Sequence, residues 1–222
     1  MTSSRISRLL PAFLLLPALP YNAGGWAVVT VKELPDHAVA GQPLDLAYAV
    51  RQHGIQLIPG LEGRVVARSG TLEATATAAP AGRAGHYAAR LTLPRSGAWT
   101  ITIHSGFGNS STTLLPLRTV DPGTPALPPV AEAERGRHLF VAKGCASCHT
   151  HAGSGVSGIA VGPDLTDRRF PADYLAKFLA DPTTKPSQRV PSTQKMPDLE
   201  LAPREIAALV AFVNAERRVS GR

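Results

Sequence analysis

The sequence has only two cysteines and no run of lysine or arginine, and each shortage excludes a class of protein. Two cysteines among 222 residues rule out a disulfide-rich scaffold, and their positions, 145 and 148, rule out a lipid-modified cysteine near the start. The formal charge is +7, but the basic residues are scattered, which argues against a nucleic-acid-binding stripe. Hydrophobic residues make up 44% and charged residues 18%, so the chain is globular rather than disordered.

The N-terminal apolar stretch is too short to cross a membrane as a helix. Leu9–Pro20 has twelve residues, three of them prolines, whereas a membrane-spanning helix needs about 20 apolar residues. Arg5 and Arg8 precede the stretch, and small residues follow it at positions 23–25. This order is typical of a cleaved signal peptide, which we predict at residues 1–25, and a retained anchor is the alternative. We therefore expect export to the bacterial periplasm or to the outer face of the cytoplasmic membrane.

From residue 26 to residue 118 the pattern is typical of β-strands. Short runs of β-branched and apolar residues are separated by turn signals. In one run, Trp99, Ile101 and Ile103 share a face, and Thr100, Thr102 and His104 share the other. Seven such runs predict an antiparallel, all-β sandwich of immunoglobulin type. The predicted strands cover residues 26–31, 44–52, 64–67, 71–77, 86–93, 98–104 and 112–117.

The composition changes over residues 119–129, which we predict to be a linker. Asp121–Pro129 has four prolines in nine residues, a composition typical of a semi-rigid extended spacer. We expect little core to cross it, so the two domains should be separable there. Residues 130–222 form the second domain, with helices predicted at 130–143, 171–180 and 203–217. The last helix begins with Pro203 and repeats apolar residues at i, i+3, i+4 and i+7: Ile206, Leu209, Val210 and Val213.

The most specific motif is the run Cys145-Ala146-Ser147-Cys148-His149. Two thiols three positions apart on a turn can each bond one vinyl group of a haem, and the adjacent histidine then meets the iron. A disulfide at this spacing constrains almost nothing, a thioredoxin-like pair needs a βαβ context, and a zinc site needs two more ligands. The motif therefore predicts one covalently attached haem c, held by Cys145 and Cys148 and ligated by His149.

Met196 is the predicted ligand on the other side of the iron. It is the only methionine besides the initiator, and it lies 47 residues after His149, far enough to return to the opposite haem face. A thioether stabilises reduced iron, so His/Met ligation raises the reduction potential. His151 is too near His149 to reach that face. If Met196 is not the ligand, the iron has an open position or a nitrogen donor.

Six segments of the second domain carry a known pattern. Through them, residues 130–217 resemble a mono-haem class I cytochrome c domain. The resemblance implies an all-α fold in which Gly136 and Phe140 cross against Phe212. It also implies that the carbonyl of Pro163 accepts a hydrogen bond from the ring of His149. The segments are Gly136–Phe140, Gly144–His149, Gly162–Leu165, Tyr174–Pro182, Lys195–Pro197 and Glu205–Val213.

The second domain lacks the tryptophan that many members of this family place near the haem propionates. Both tryptophans of the chain, Trp26 and Trp99, fall in the first domain. Four other side chains are candidates for that hydrogen bonding: Arg168, Arg169, Tyr174 and Lys185.

The first domain resembles the small periplasmic immunoglobulin-like domains of the FixH/YtkA type. The resemblance is carried by residues 40–43 (AGQP), 50–54 (VRQHG) and 97–104 (GAWTITIH). That group is associated with cytochrome oxidase assembly and copper handling. The domain has no cysteine or methionine and no close-spaced histidine pair, so we expect a docking module instead of a copper site. The candidate copper ligands are His37, His53, His86 and His104.

These motifs together predict an electron carrier and not an enzyme. A six-coordinate haem has no open iron position, so single electrons pass through the haem edge to a docked redox protein, such as a terminal oxidase, a quinol-oxidising complex or a dehydrogenase. We expect no nucleic-acid partner, and a membrane contact only if the N-terminal segment is retained. The open alternatives are a haem subunit of a larger respiratory or dehydrogenase complex and a copper-handling or oxidase-assembly factor. Deleting a docking module should slow electron transfer and leave the reduction potential unchanged.

Overall fold

A computed structural model describes residues 25–159, 161–182 and 196–215 of the protein. Within these residues, strands occupy the chain from Ala27 to Val120 and helices occupy it from Glu132 to Val213. The predicted order, a β domain followed by an α domain, is confirmed. The predicted signal peptide lies outside the described residues, apart from Gly25. Among the described residues, no helix is long and apolar enough to cross a membrane.

The β domain consists of two sheets, whose strands we number in chain order. The first sheet has the order β1-β3-β8-β7, with β4 paired to β3, and all its pairs are antiparallel. The second has the order β2-β11-β9-β5-β6, with β10 paired to β9, and only the β2–β11 pair is parallel. The strands are β1 (Ala27–Val31), β2 (Ala38–Val39), β3 (Pro43–Gln52), β4 (Gln56–Leu57), β5 (Arg64–Ser69), β6 (Leu72–Thr77), β7 (Ala79–Pro80), β8 (His86–Thr92), β9 (Gly97–His104), β10 (Ser111–Thr113) and β11 (Leu117–Val120).

One apolar core joins the two sheets into a sandwich. Trp99, Ile101 and Ile103 of β9 are fully buried in it, while Thr100, Thr102 and His104 are only half-buried. The core also contains Leu46 of β3 and Leu91 of β8, from the other sheet. The alternation predicted for β9 is therefore confirmed. The immunoglobulin type and the FixH/YtkA likeness stay predictions.

The largest difference from the predicted strands is at residues 112–117. The predicted strand at 112–117 is two strands, β10 and β11, and β11 continues to Val120, inside the predicted linker. Thr119 and Val120 are buried and pair with Ala38 and Val39 of β2. That pairing extends the sandwich beyond residue 118. The two-residue strands β2, β4 and β7 are too short to show an alternating pattern.

The second domain contains three α-helices within the described residues: α1 (Glu132–Ala142), α2 (Ala172–Ala180) and α3 (Pro203–Val213). Short 3-10 turns follow α1 at Cys145–Ser147 and Ala152–Ser154. Ile206, Leu209 and Val213 of α3 are buried, as their spacing predicts, whereas Val210 is only half-buried against the same core. The helix ends at Val213, four residues before the predicted end at 217, and residues 216 and 217 lie outside the described part.

Helices α1 and α3 cross at Gly136. A Cβ atom at this position would overlap the carbonyl oxygen of Ala208 and would lie 2.6 Å from the Cβ atom of Phe212. The ring centroids of Phe140 and Phe212 are 5.4 Å apart. The crossing implied by the family resemblance is therefore confirmed.

The two domains share a buried interface, which differs from the expectation that little core crosses the boundary. Ala142, at the end of α1, is fully buried and belongs to the apolar core of the sandwich. At Gly144, a Cβ atom would overlap the side chain of Val28 and lie 2.9 Å from the carbonyl oxygen of Val29. Strand β1 therefore lies directly against the chain that leads into the Cys145–His149 motif.

Candidate haem site

The end of α1 places both cysteines and His149 on one tight turn. Gly144 has φ 80°, in the left-handed region that glycine adopts at no steric cost, and it turns the chain out of the helix. The amide of Cys148 donates to the carbonyl of Cys145 at 3.1 Å, and that of His149 donates to the same oxygen at 2.9 Å. The two thiols and the imidazole are thus presented together by backbone hydrogen bonds.

Both cysteines lie in an apolar setting, and no disulfide joins them. Burial raises the pKa of Cys145 to about 12, with a smaller contribution from the neighbouring Cys148. Burial also raises the pKa of Cys148. Each sulfur therefore keeps its proton at neutral pH, whereas thiolate nucleophiles and thiolate metal ligands need a lowered pKa. Two cysteines on one turn could each supply the sulfur of one thioether bond to a haem vinyl group.

The His149 ring is oriented by the carbonyl of Pro163. Its Nδ1 atom lies 3.0 Å from that oxygen. Because a carbonyl oxygen only accepts, Nδ1 carries the proton and Nε2 keeps its lone pair for a metal ion. Burial lowers the pKa of His149, although the hydrogen bond to Pro163 opposes this shift, so the ring is neutral at neutral pH. The role of His149 as a haem ligand, and that of Pro163 in orienting this ligand, stay predictions.

Gly162 allows the chain to pass directly beside this ring. A Cβ atom at this position would lie 2.5 Å from Cε1 and 2.6 Å from Nδ1 of His149. Both distances are shorter than any ordinary carbon contact, so a larger residue here would push Pro163 away from the imidazole. The glycine therefore supports the hydrogen bond that fixes the ring.

Met196 is half-buried and lies against the apolar core of the helical domain. Leu199, three residues later, is buried in the same core. Lys195 and the rest of the segment 183–195 lie outside the described residues. The assignment of Met196 as the second iron ligand stays a prediction.

His151 packs at the helix crossing, a role that its position in the sequence does not reveal. Its ring centroid lies 4.3 Å from that of Phe212 and 5.8 Å from that of Phe140. Its Nδ1 atom accepts a hydrogen bond from the amide of Gly153 at 3.1 Å. Burial lowers the pKa of His151, so the ring is neutral within this aromatic cluster.

The candidate propionate partners lie at the surface where the structure describes them. Arg168 and Arg169 are exposed, and Arg169 donates to the carbonyl of Arg168 at 2.8 Å. Tyr174 is 41% exposed and stacks parallel to Phe178 at a centroid distance of 6.4 Å. Lys185 lies outside the described residues. A propionate contact stays a prediction for all four residues.

The histidines of the sandwich do not converge on one point. His53 packs against Trp26, with ring centroids 5.9 Å apart. His86 contacts Arg83, whose Nη2 lies 3.2 Å from its Nε2 atom. Across residues 25–159, 161–182 and 196–215, no three or more His, Cys, Asp or Glu side chains are grouped closely enough to hold a metal ion.

Comparison with known families decides what the helical domain is. Residues 133–215 match the family model described as cytochrome c. The C-terminal domain is a cytochrome c domain. Its family carries covalently attached haem c, and the residues present fit that group, since two cysteines and an imidazole with a free Nε2 lone pair stand on one turn. The match supports haem-based electron transfer by this domain.

Comparisons of this chain with curated proteins and with solved structures add little to the family match. No curated protein matches the sequence. Domains 1–6 of the surface layer protein SbsC are 20% identical with a TM-score of 0.35, over 44% of this chain and 13% of that one. The superoxide reductase (neelaredoxin) of Ignicoccus hospitalis is 13% identical with a TM-score of 0.29, over 42% of this chain and 80% of that one. The ZirS C-terminal domain is 10% identical with a TM-score of 0.31, over 54% and 87%. Such low scores transfer no property to this chain.

Proposed function

We propose that the protein is an exported c-type cytochrome that passes single electrons through one haem c ligated by His149 and Met196, with the β-sandwich as a docking module. The observation that carries the proposal is the turn at Cys145–Ser147, which presents two cysteines beside an imidazole held by Pro163. A ligand fixed by a backbone carbonyl is a stronger donor with a set orientation. The cytochrome c domain supplies the electron-transfer chemistry.

Export and location are supported by the N-terminal pattern alone. Arg5 and Arg8 before a twelve-residue apolar stretch are typical of a signal peptide. A periplasmic site would place the haem beside respiratory partners such as a terminal oxidase, a quinol-oxidising complex or a dehydrogenase. The same site would serve a free shuttle and a subunit of a larger complex, and co-purification distinguishes the two.

Replacing Cys145 and Cys148 together with alanine is expected to abolish covalent haem attachment, because both thioether bonds are lost. Extraction with acidified acetone should leave the colour on the unchanged polypeptide and remove it from the variant. Ser147→Ala, on the same turn, is the matched control and should keep the haem. Release of haem from the unchanged protein would contradict the proposal.

Replacing Met196 with alanine is expected to abolish the weak near-infrared band of methionine–iron bonding and to lower the reduction potential. The physical reason is that water or a nitrogen donor replaces a soft thioether, which favours oxidised iron. Spectra of the oxidised protein and a redox titration measure the two effects. Leu201→Ala, at a half-buried apolar position nearby, should change neither. An unchanged spectrum and potential in Met196→Ala would show that another residue is the ligand.

A further inference from the structure

The sandwich lies against the segment that directly follows Met196. Gly54, in the turn between β3 and β4, adjoins Pro197, because a Cβ atom built on Gly54 would lie 3.7 Å from the Cγ atom of that proline. Three residues further on, Glu200 forms ion pairs with two arginines of the sandwich. Pro197, the first residue after the proposed haem ligand, therefore lies close to the other domain, and Glu200 is ion-paired to it.

Glu200 is held by Arg83 and Arg51. The Nη2 atom of Arg83, in the turn before β8, donates to both carboxylate oxygens, at 2.9 and 2.7 Å. The Nη2 atom of Arg51, in β3, lies 3.6 Å from Oε1. The hydrogen bond from Arg83 keeps the pKa of Glu200 below its ordinary value, so the carboxylate is charged at neutral pH. These contacts span more than a hundred residues of sequence.

Arg51 is a buried charge that needs this partner. Its side chain is only 6% exposed, and its Nη1 atom donates to the hydroxyl of Thr30 at 3.2 Å. Burial lowers its pKa, while Glu200 and Asp198 oppose that shift. A buried guanidinium without a counterion is strongly unfavourable. The negative charges of residues 198 and 200 therefore stabilise Arg51 where it is, and the attraction binds their segment to β3.

The backbone at Glu200 is strained in a way that these contacts offset. Its φ of 55° lies in the left-handed region, which is unfavourable for any residue with a Cβ atom. Its amide donates to Oδ1 of Asp198 at 2.8 Å, and Leu199 between them is buried. A non-glycine residue keeps such a conformation only where its surroundings fix it. Segment 197–200 is thus fixed from both domains.

We propose that Arg51 and Arg83 are positioning residues for the distal haem ligand: through Glu200 the sandwich holds segment 197–200 and thereby strengthens the bond between Met196 and the iron. The inference rests on the proposed ligation by Met196. It replaces the expectation that deleting the sandwich leaves the reduction potential unchanged, because the deletion would remove both arginines and the contact at Gly54. Docking of a redox partner by the same domain is compatible with it.

The physical reason is that a thioether is a weak ligand. The strength of its bond to iron therefore depends on how firmly the protein fixes the segment that carries it. A segment held in place loses little further conformational entropy when Met196 bonds the iron, whereas a loosened segment loses more. The effective strength of the bond then falls although the ligand is unchanged. An added ligand that competes for the same iron position reports this directly.

The test is displacement of Met196 by imidazole in the haem-loaded full chain, followed through the near-infrared band. In Glu200→Gln, which keeps shape and removes charge, imidazole should bind about threefold to tenfold more tightly, the factor expected for losing one or two net hydrogen bonds. In Arg83→Gln the change should be about twofold to threefold, because that pair is more than half exposed. The double variant should match Glu200→Gln, since Arg83 acts through Glu200. The matched control is Arg90→Gln, which breaks the exposed, bidentate Arg90–Asp45 pair of the same sheet and should change nothing.

A second measurement does not depend on displacing the ligand of the iron. Hydrogen exchange of the Glu200 amide should be faster in Glu200→Gln and Arg83→Gln than in Arg90→Gln. Unchanged imidazole affinity in Glu200→Gln would overturn the inference, whether or not exchange accelerates. That outcome is distinguishable from failure of the proposed ligation, in which Met196→Ala itself leaves the near-infrared band intact and no variant can alter a bond that does not exist.

Discussion

Replacing Lys143 with methionine is expected to lower the free energy of unfolding of the haem-loaded protein by about 3–5 kcal/mol, the usual loss when one partner of a buried ion pair is removed. Lys143 and Glu205 are 1% and 6% exposed. The Nζ atom lies 2.7 Å from Oε1 of Glu205 and donates to the carbonyl of Lys32 at 2.6 Å. The ammonium group therefore joins α1, α3 and the end of β1. Denaturant unfolding followed by far-ultraviolet circular dichroism measures the loss.

A second substitution distinguishes the loss of charge pairing from the loss of packing. In Lys143→Met/Glu205→Gln the buried carboxylate becomes a neutral amide. Its side-chain oxygen can still accept the hydrogen bond that Oε2 takes from the amide of Ala202 at 3.0 Å. Since an unpaired buried charge is the main cause of the instability, most of the lost stability should return. A double variant no more stable than Lys143→Met would show that charge is not the cause.

An exposed ion pair of the same length is the matched control. Arg68 and Glu73 are joined at 2.7 Å on the surface of the sandwich, with side chains 68% and 46% exposed. Arg68→Met should cost at most about 1 kcal/mol, because water already solvates both groups. Equal losses from Arg68→Met and Lys143→Met would mean that burial does not govern the Lys143 pair.

The sequence predicts those parts of this protein that leave a local pattern. The alternation around Trp99 predicts a core strand, and the spacing of Ile206, Leu209 and Val213 predicts the buried face of α3. Both are visible in the sequence because apolar residues recur at a fixed spacing, which differs between strands and helices. The Cys145–His149 motif is also local, since two thioethers and one ligand must come from one turn. The strand and helix predictions agree with the described structure, and haem attachment at the motif stays a prediction.

The interface between the domains leaves no such pattern. Lys143 follows the apolar last turn of α1 and precedes a glycine, a position at which a lysine is ordinarily solvated. Its burial depends on Lys32 and Glu205, which lie 111 residues before it and 62 after it. The proline segment marks where composition changes, but it does not reveal whether the surfaces on either side meet. The partners of an ion pair such as Arg83–Glu200 are not related by any regular spacing in the sequence, so only the fold brings them together.

Replacing Gly136 with alanine is also expected to have a large effect on the free energy of unfolding. The sign of the change distinguishes helix propensity from overpacking at the helix crossing. Helix propensity alone would make alanine more stable than glycine in α1 by about 1 kcal/mol. The crossing with α3 opposes this, because the new Cβ atom would overlap the carbonyl oxygen of Ala208, a backbone atom that no rotamer change can move. Separating the helices also disturbs the Phe140–Phe212 contact. Overpacking of this kind costs about 1–3 kcal/mol, so we expect a net destabilisation.

The scale for this comparison comes from Ala207→Gly on the exposed face of α3. That change involves propensity without a crossing and should cost about 1 kcal/mol. Denaturant unfolding of both haem-loaded variants gives the two values under one set of conditions. A Gly136→Ala variant as stable as the unchanged protein would mean that α1 and α3 separate at little cost. A clear loss in Gly136→Ala, where propensity predicts a gain, can come only from the close approach of α1 and α3 at this position.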